Sequence, residues 1–108
     1  MKYTIDRTKW LRGEGDEKSL LLRMQDGKMC CLGQVSLQCG VSENEILGKS
    51  VLSHLQRIER YPEWLRTAFG DRGRAMNLND STATSDADKE SALTALFAKH
   101  GDELEFVN

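Results

Sequence analysis

Residues 27–40 read GKMCCLGQVSLQCG, and this stretch decides where sheet gives way to helix. Up to Gly33 it continues an apolar run that bends around Gln25-Asp26-Gly27. Beyond that point the period lengthens. Cys31, Val35 and Cys39 stand at i, i+4 and i+8 with Leu32 beside them, the spacing of one helical stripe. Gly40 is placed to end the helix. The stretch therefore reads as a strand-to-helix junction.

The same residues raise a chemical question, because adjacent cysteines with a third nearby invite a metal or redox reading. A structural zinc site needs about four converging ligands, usually from paired C-x2-C knuckles. Cys30 and Cys31 are neighbours, so on a strand they point to opposite faces. His54 and His100 complete a ligand set only by long-range coincidence. A redox pair calls for C-x-x-C, which the sequence lacks. Reduced cysteine packs as a small hydrophobe, so packing outweighs metal or redox chemistry, and neither metal nor cofactor is expected.

Upstream, SLLLRM, the turn QDG and KMCCL read as a hairpin bent at Asp26-Gly27, with Leu20, Leu22 and Met24 sharing a face. Asp6 is suited to cap a short helix through Trp10 and Leu11 that Gly13 ends, and GEGDEK reads as a polar loop. Downstream, Ser42 and Glu45 match a capping box opening a short helix with Ile46 and Leu47. Val51, Leu55 and Ile58 suggest a further helical turn or two. Pro62 suits the first position of a short helix carrying Trp64 and Leu65. From Gly70 to Asp86 the chain is polar and reads as its least regular part. Ser85 caps a last helix with Asp86 and Asp88 in its first turn and Leu93, Leu96 and Phe97 on its apolar face. Gly101 ends it, and ELEFV alternates as a strand. The expectation is one domain over residues 1–108, of α+β class: a small antiparallel sheet, hairpin plus C-terminal strand, covered by several short helices.

The chain has 108 residues, 39% hydrophobic and 30% charged, the composition of a folded globule rather than a disordered segment. Its net charge of −2 is unevenly spread. Residues 1–74 hold 13 Lys/Arg against 10 Asp/Glu, and residues 75–108 hold 2 against 7. That is too mild for strong duplex binding or for mimicry of nucleic acid. The first residues carry Lys2, Asp6, Arg7, Lys9 and Arg12, with no export signal and no run long enough to span a membrane. With an odd number of cysteines, a reducing cytoplasm is expected.

No nucleophile elbow, phosphate-binding Gly-Lys-Ser/Thr loop or zinc-protease motif is present, and no catalytic residue is assigned. The segment RTAFGDRGRAMNLND offers binding chemistry instead. Arg66, Arg72 and Arg74 supply guanidinium donors for phosphate or carboxylate, and Phe69 supplies a stacking face. Asn77 and Asn79 add paired donors and acceptors. The alternative is a solvated loop whose Asn and Asp residues make local turns. Trp10 and Trp64 read as core anchors.

WLRG, GKMCCLG, PEWL, NLND, ALTALF and the closing GDELEFVN together resemble small proteins of tailed bacteriophages and prophages, over almost the whole chain. The resemblance implies an accessory protein in the cytoplasm of an infected bacterium, a setting in which such proteins often counter host defence. The polar segment is also similar in character to the sites of phage sponge proteins of the anti-Thoeris type, which sequester cyclic ADP-ribose signals. That likeness implies Phe69 stacking on adenine, Asn79 hydrogen bonding and an arginine facing pyrophosphate. A domain this small has limited room for a deep pocket, so a homo-oligomer with its site between chains is expected. The expected function is sequestration, without catalysis, of a cyclic ADP-ribose-like or cyclic oligonucleotide immune signal. The alternative is an anti-CRISPR-like protein that binds and inhibits a host defence protein through a surface patch such as the acidic C-terminal helix, set against a basic groove. A purely structural or regulatory accessory role is the third reading.

Overall fold

Tyr3 and Ile5 alternate with Lys2, Thr4 and Asp6, and this period of two makes the first element a strand, β1 (Lys2–Asp6), with both apolar side chains fully buried. The computed structural model describes residues 1–12, 20–49, 60–66 and 70–108. Asp6 ends β1 and caps a 3-10 turn, Arg7–Lys9, by accepting from the Thr8 N–H at 3.0 Å. The junction stretch forms helix α1 (Cys31–Gln38), followed by α2 (Glu43–Ile46), whose Ser42/Glu45 capping box closes in both directions. Then come α3 (Glu63–Arg66) directly after Pro62, α4 (Asp71–Asp80), α5 (Asp86–Lys99) and β2 (Glu103–Val107). The Ser85 hydroxyl accepts from the Asp88 N–H at 3.2 Å to start α5, and Gly101, with φ +82°, turns the chain into β2.

The fold is α+β, but its sheet differs from the expectation. β1 and β2 pair in parallel, with Lys2 opposite Glu103 and Asp6 opposite Val107. Parallel neighbours need a long crossover, and here every described helix lies between the two strands. The ELEFV strand therefore pairs with the start of the chain, not with the hairpin.

The hairpin is reduced to a turn. Its limbs exchange Arg23 N–H to Lys28 O at 2.8 Å and Cys30 N–H to Leu20 O at 3.2 Å. Otherwise they bridge outward, Leu22 to Leu47 and Met29 to Trp10. Leu21 and Leu22 are buried while Met24 is 77% exposed, so the expected face of Leu20, Leu22 and Met24 does not form. At the bend, Asp26 accepts from the Arg23 guanidinium and from the Lys28 N–H, which hold its carboxyl down to about 2. A depressed carboxyl stabilises the fold above its unfolded-state pKa, and that contribution is lost as pH falls through the folded value. Asp26→Asn should thus lower stability by a constant amount at neutral pH, and the difference from wild type should shrink below about pH 4. Urea titrations across that range measure it.

The core gathers Tyr3 and Ile5 from β1, Trp10, Leu21, the α1 stripe of Cys31, Leu32 and Val35, Leu93 and Phe97 from α5, and Leu104 from β2. Phe97 is central, edge-on to Tyr3 at 6.0 Å and to Trp64 at 4.9 Å between ring centroids. Gly33 belongs to this packing, because its missing side chain lets α1 lie against the Leu21 carbonyl. Among the described residues, no helix is long and apolar enough to cross a membrane. The expected GEGDEK loop, the Gly13 stop and the helical positions Val51, His54, Leu55 and Ile58 lie outside the described residues.

Candidate functional site

Of the polar segment expected to be irregular, Gly70 to Asp86, residues 81–85 are so, but most of it is helix α4. Its buried positions are Arg72, Ala75, Met76 and Asn79, the i, i+3, i+4, i+7 stripe of an ordinary inward helix face. Polar residues occupy both ends of that stripe, so the sequence shows no hydrophobic period there. This one fact divides the candidate residues.

Arg72 is only 1% exposed, and its Nη1 donates to the Leu65 carbonyl at 3.2 Å, tying α4 to α3. Burial pulls the Arg72 pKa below its usual range. Asn79 is fully buried, and its amide is saturated internally. Its Oδ1 accepts from Trp10 Nε1 at 2.7 Å and from the Cys31 N–H at 3.0 Å. Its Nδ2 donates to the Leu11 carbonyl at 2.8 Å and to Asp80 Oδ1 at 3.1 Å. Two acceptor and two donor positions are the whole capacity of a carboxamide, so Asn79 has nothing left for a ligand. Phe69 lies outside the described residues.

Arg74 and Asn77 point the other way and are exposed. They line an open depression of about 520 Å³ with Gly70, Gly73, Leu78, Ser81 and Thr84. Ser81 and Thr84 hold each other through their hydroxyls at 3.0 Å. Arg74 and Leu78 also border a neighbouring depression of about 430 Å³, whose other wall is Ala92, Ala95 and Leu96 of α5. Five candidates thus become an outward pair, an inward pair and Phe69. Ser81 and Thr84 were missed. Their positions just past a helix end were the available signal, hidden while the segment read as a loop.

A second constellation also escaped the sequence reading. His100, at the end of α5, stacks on Trp64 with centroids 4.3 Å apart and planes at 1°. Its Nε2 meets Asp71 Oδ2 at 2.6 Å, while Trp64 Nε1 donates to Asp102 Oδ2 at 3.0 Å. Lys99 also reaches Asp71, at 3.0 Å. The bonds from His100 and Lys99 hold the Asp71 carboxyl below its usual range. This cluster fastens α3, the start of α4 and the end of α5 together. The partners of His100 come from two other elements, Asp71 of α4 and Trp64 of α3.

The cysteines sit in the core. Cys30 and Cys31 are fully buried, and Cys39 is half-buried with its sulfur 3.8 Å from the Tyr3 hydroxyl. Desolvation pushes the Cys30 thiol up to about 12 and the Cys31 thiol well above its usual value. A thiol at about 12 is thiolate in only about one molecule in ten thousand at pH 8, and thiolate is the reactive form. Brief iodoacetamide treatment of the native protein should therefore label Cys39 first, with Cys30 and Cys31 reacting only after denaturation. Peptide mass spectrometry reads the order. Early labelling of Cys30 would show that the junction opens.

Comparison of the chain with family models, curated proteins and solved structures finds no match in any of the three.

Proposed function

We propose that this protein is a non-catalytic binding protein that sequesters a phosphate-bearing, nucleotide-type immune signal on the outward face of α4. The observation that carries the reading is the convergence of Arg74, Asn77, Ser81 and Thr84 on one depression of about 520 Å³, lined also by Gly70, Gly73 and Leu78. That volume falls within the range of about 300–1,000 Å³ common for small-ligand sites. Arg74 offers charge-assisted donors to phosphate, Asn77 a carboxamide for a base edge, and the hydroxyls further hydrogen bonds. The depression is open, so a tight site needs a second wall, and a second copy of the chain is the expected source. The resemblance to small phage proteins supplies the biological setting, that of an anti-defence protein in an infected bacterium. Phe69 stays in the proposal as the stacking residue, from its place in the sequence beside Gly70.

Titration calorimetry with cyclic ADP-ribose isomers and cyclic di- and trinucleotides tests this. Binding at micromolar concentration or tighter is expected for one of them. Arg74→Ala should weaken it by about tenfold or more, with a smaller effect at high salt. Silence from every ligand at that concentration would sink the proposal.

The neighbouring depression favours a second reading. Leu78, Ala92, Ala95 and Leu96 make an apolar strip beside Arg74, suited to a protein surface, as in an inhibitor of a host defence enzyme. Affinity capture from host lysate separates the two. A stoichiometric protein partner favours the inhibitor, and a small molecule released by heat favours the sponge.

A further inference from the structure

Asp26-Gly27 is the one Asp-Gly step in the chain, and no Asn-Gly occurs. In a flexible chain such a step modifies itself. The glycine amide nitrogen attacks the side-chain carboxyl carbon, a water leaves, and a succinimide ring forms. Water then reopens the ring at either carbonyl, giving back aspartate or giving isoaspartate. The net change moves the peptide bond from the main-chain carbonyl to the side-chain one, and the water lost in closing is regained in opening. Glycine permits the attack because it has no side chain to obstruct it. Nothing else obstructs it here: a Cβ built on Gly27 meets no atom within 4 Å, and the Asp26 side chain is 38% exposed.

The turn instead ties down both reacting groups. The Arg23 guanidinium donates from Nε to Asp26 Oδ1 at 3.1 Å and from Nη2 to Oδ2, and the Lys28 N–H donates to Oδ1 at 3.0 Å. The attacking nitrogen is held as well, because the Gly27 N–H donates to the Arg23 carbonyl at 2.9 Å. Ring closure requires the carboxyl to swing onto the Gly27 nitrogen and that nitrogen to lose its proton, so bonds on both sides must break first. The Arg23 and Lys28 bonds also hold the carboxyl down to about 2, which leaves fewer molecules with the protonated group that sheds water.

We propose that Asp26-Gly27 is a latent isoaspartate site that Arg23 holds closed in the folded protein, its side chain on the carboxyl under attack and its carbonyl on the attacking amide. The core feels the result when the site opens. Isoaspartate adds a methylene to the main chain of a turn whose limbs meet at the Arg23 N–H to Lys28 carbonyl bond, 2.8 Å. Just beyond it Met29 is buried and pinned on both sides, its N–H donating to the Lys9 carbonyl at 2.8 Å and its carbonyl accepting from the Leu11 N–H at 2.7 Å. The lengthened turn strains these bonds, so the modified chain is less stable. Nothing in this inference depends on the depression beside α4.

The test ages the full chain at neutral pH, once in native buffer and once unfolded in guanidinium. A protein-isoaspartate methyltransferase counts the modified residues, and chromatography of the peptide containing Asp26 places them. Isoaspartate at this position should form at least about tenfold more slowly in the native chain. Arg23→Gln should raise the native rate by about threefold to tenfold. Arg60→Gln, which removes an exposed ion pair to Glu45, should leave the rate unchanged. Because Arg23→Gln also lowers stability, a denaturant titration gives its unfolded fraction, and its native rate should exceed that fraction multiplied by the unfolded-state rate. Three results would each overturn the proposal: a native chain that isomerises as fast as the unfolded one, an Arg23→Gln rate equal to that of wild type, or one fully accounted for by its unfolded fraction.

Discussion

Asn79→Ala should cost about 3–5 kcal/mol of folding stability, more than any truncation on the outward face of α4. The expectation follows from what the side chain leaves behind. Trp10 Nε1, the Cys31 N–H and the Leu11 carbonyl all lose their bonds to this amide. Each stranded buried polar group costs about 1–3 kcal/mol. The Cys31 N–H matters particularly, because it is the first amide of α1 and has no acceptor within its own helix. Asn79 thus caps α1 from a distance, where the Cys30 side chain makes no cap bond. Asn79→Asp keeps the acceptor but loses both donor bonds and buries a charge beside Asp80, so it should fail as well. Arg74→Ala, at an exposed position, should change stability by less than about 0.5 kcal/mol. Denaturant midpoints decide between these roles. If Asn79→Ala lost ligand affinity with stability intact, the residue would belong to a binding site after all.

Gly33→Ala should be comparably severe, about 4 kcal/mol or outright failure to fold. In an ordinary helix interior the same change gains about 0.5–1 kcal/mol, because alanine restricts the unfolded chain. Here the sign reverses for a steric reason. A methyl group at Gly33 would lie 1.8 Å from the Leu21 carbonyl oxygen and 2.9 Å from the Met29 Cβ. Neither is the end of a flexible side chain, so α1 would have to move off the Leu21 limb, breaking dense core packing. Gly73→Ala is the control. It also lies within a helix, and an added Cβ there meets nothing within 4 Å. That variant should gain a few tenths to about 1 kcal/mol. Thermal melts of the pair separate helix propensity from close approach, and equal effects would show that the α1 contact is softer than its geometry implies.

Local signals were legible wherever one residue type has one dominant use. The Ser42/Glu45 box, the Ser85 cap, the α1 stripe and the ELEFV alternation form as read, whereas Asp6 caps a 3-10 turn that stops at Lys9 instead of the helix expected through Trp10 and Leu11. Lys2–Asp6 carries the same alternation as ELEFV and could have been found by the same rule. α4 could not. Its inward stripe begins with an arginine and ends with an asparagine, so its period is invisible to hydrophobicity. What makes those side chains interior is the arrival of Leu65, Trp10 and Cys31 from elsewhere in the chain.

The sequence by itself determined the helices α1, α2 and α5, the Ser42 and Ser85 caps and the alternation of the last strand, because these depend on bonds and periods spanning a few residues. Only the tertiary structure decided that the sheet is parallel, that Arg72 and Asn79 face inward while Arg74 and Asn77 face out, and that glutamines of α1 cover the outer edge of β1. Those outcomes rest on hydrogen bonds between residues far apart in the chain, such as Asn79 with Trp10 and Gln34 with Asp6. A polar side chain can satisfy itself in water or inside the protein, and which it does depends on the neighbours that folding brings.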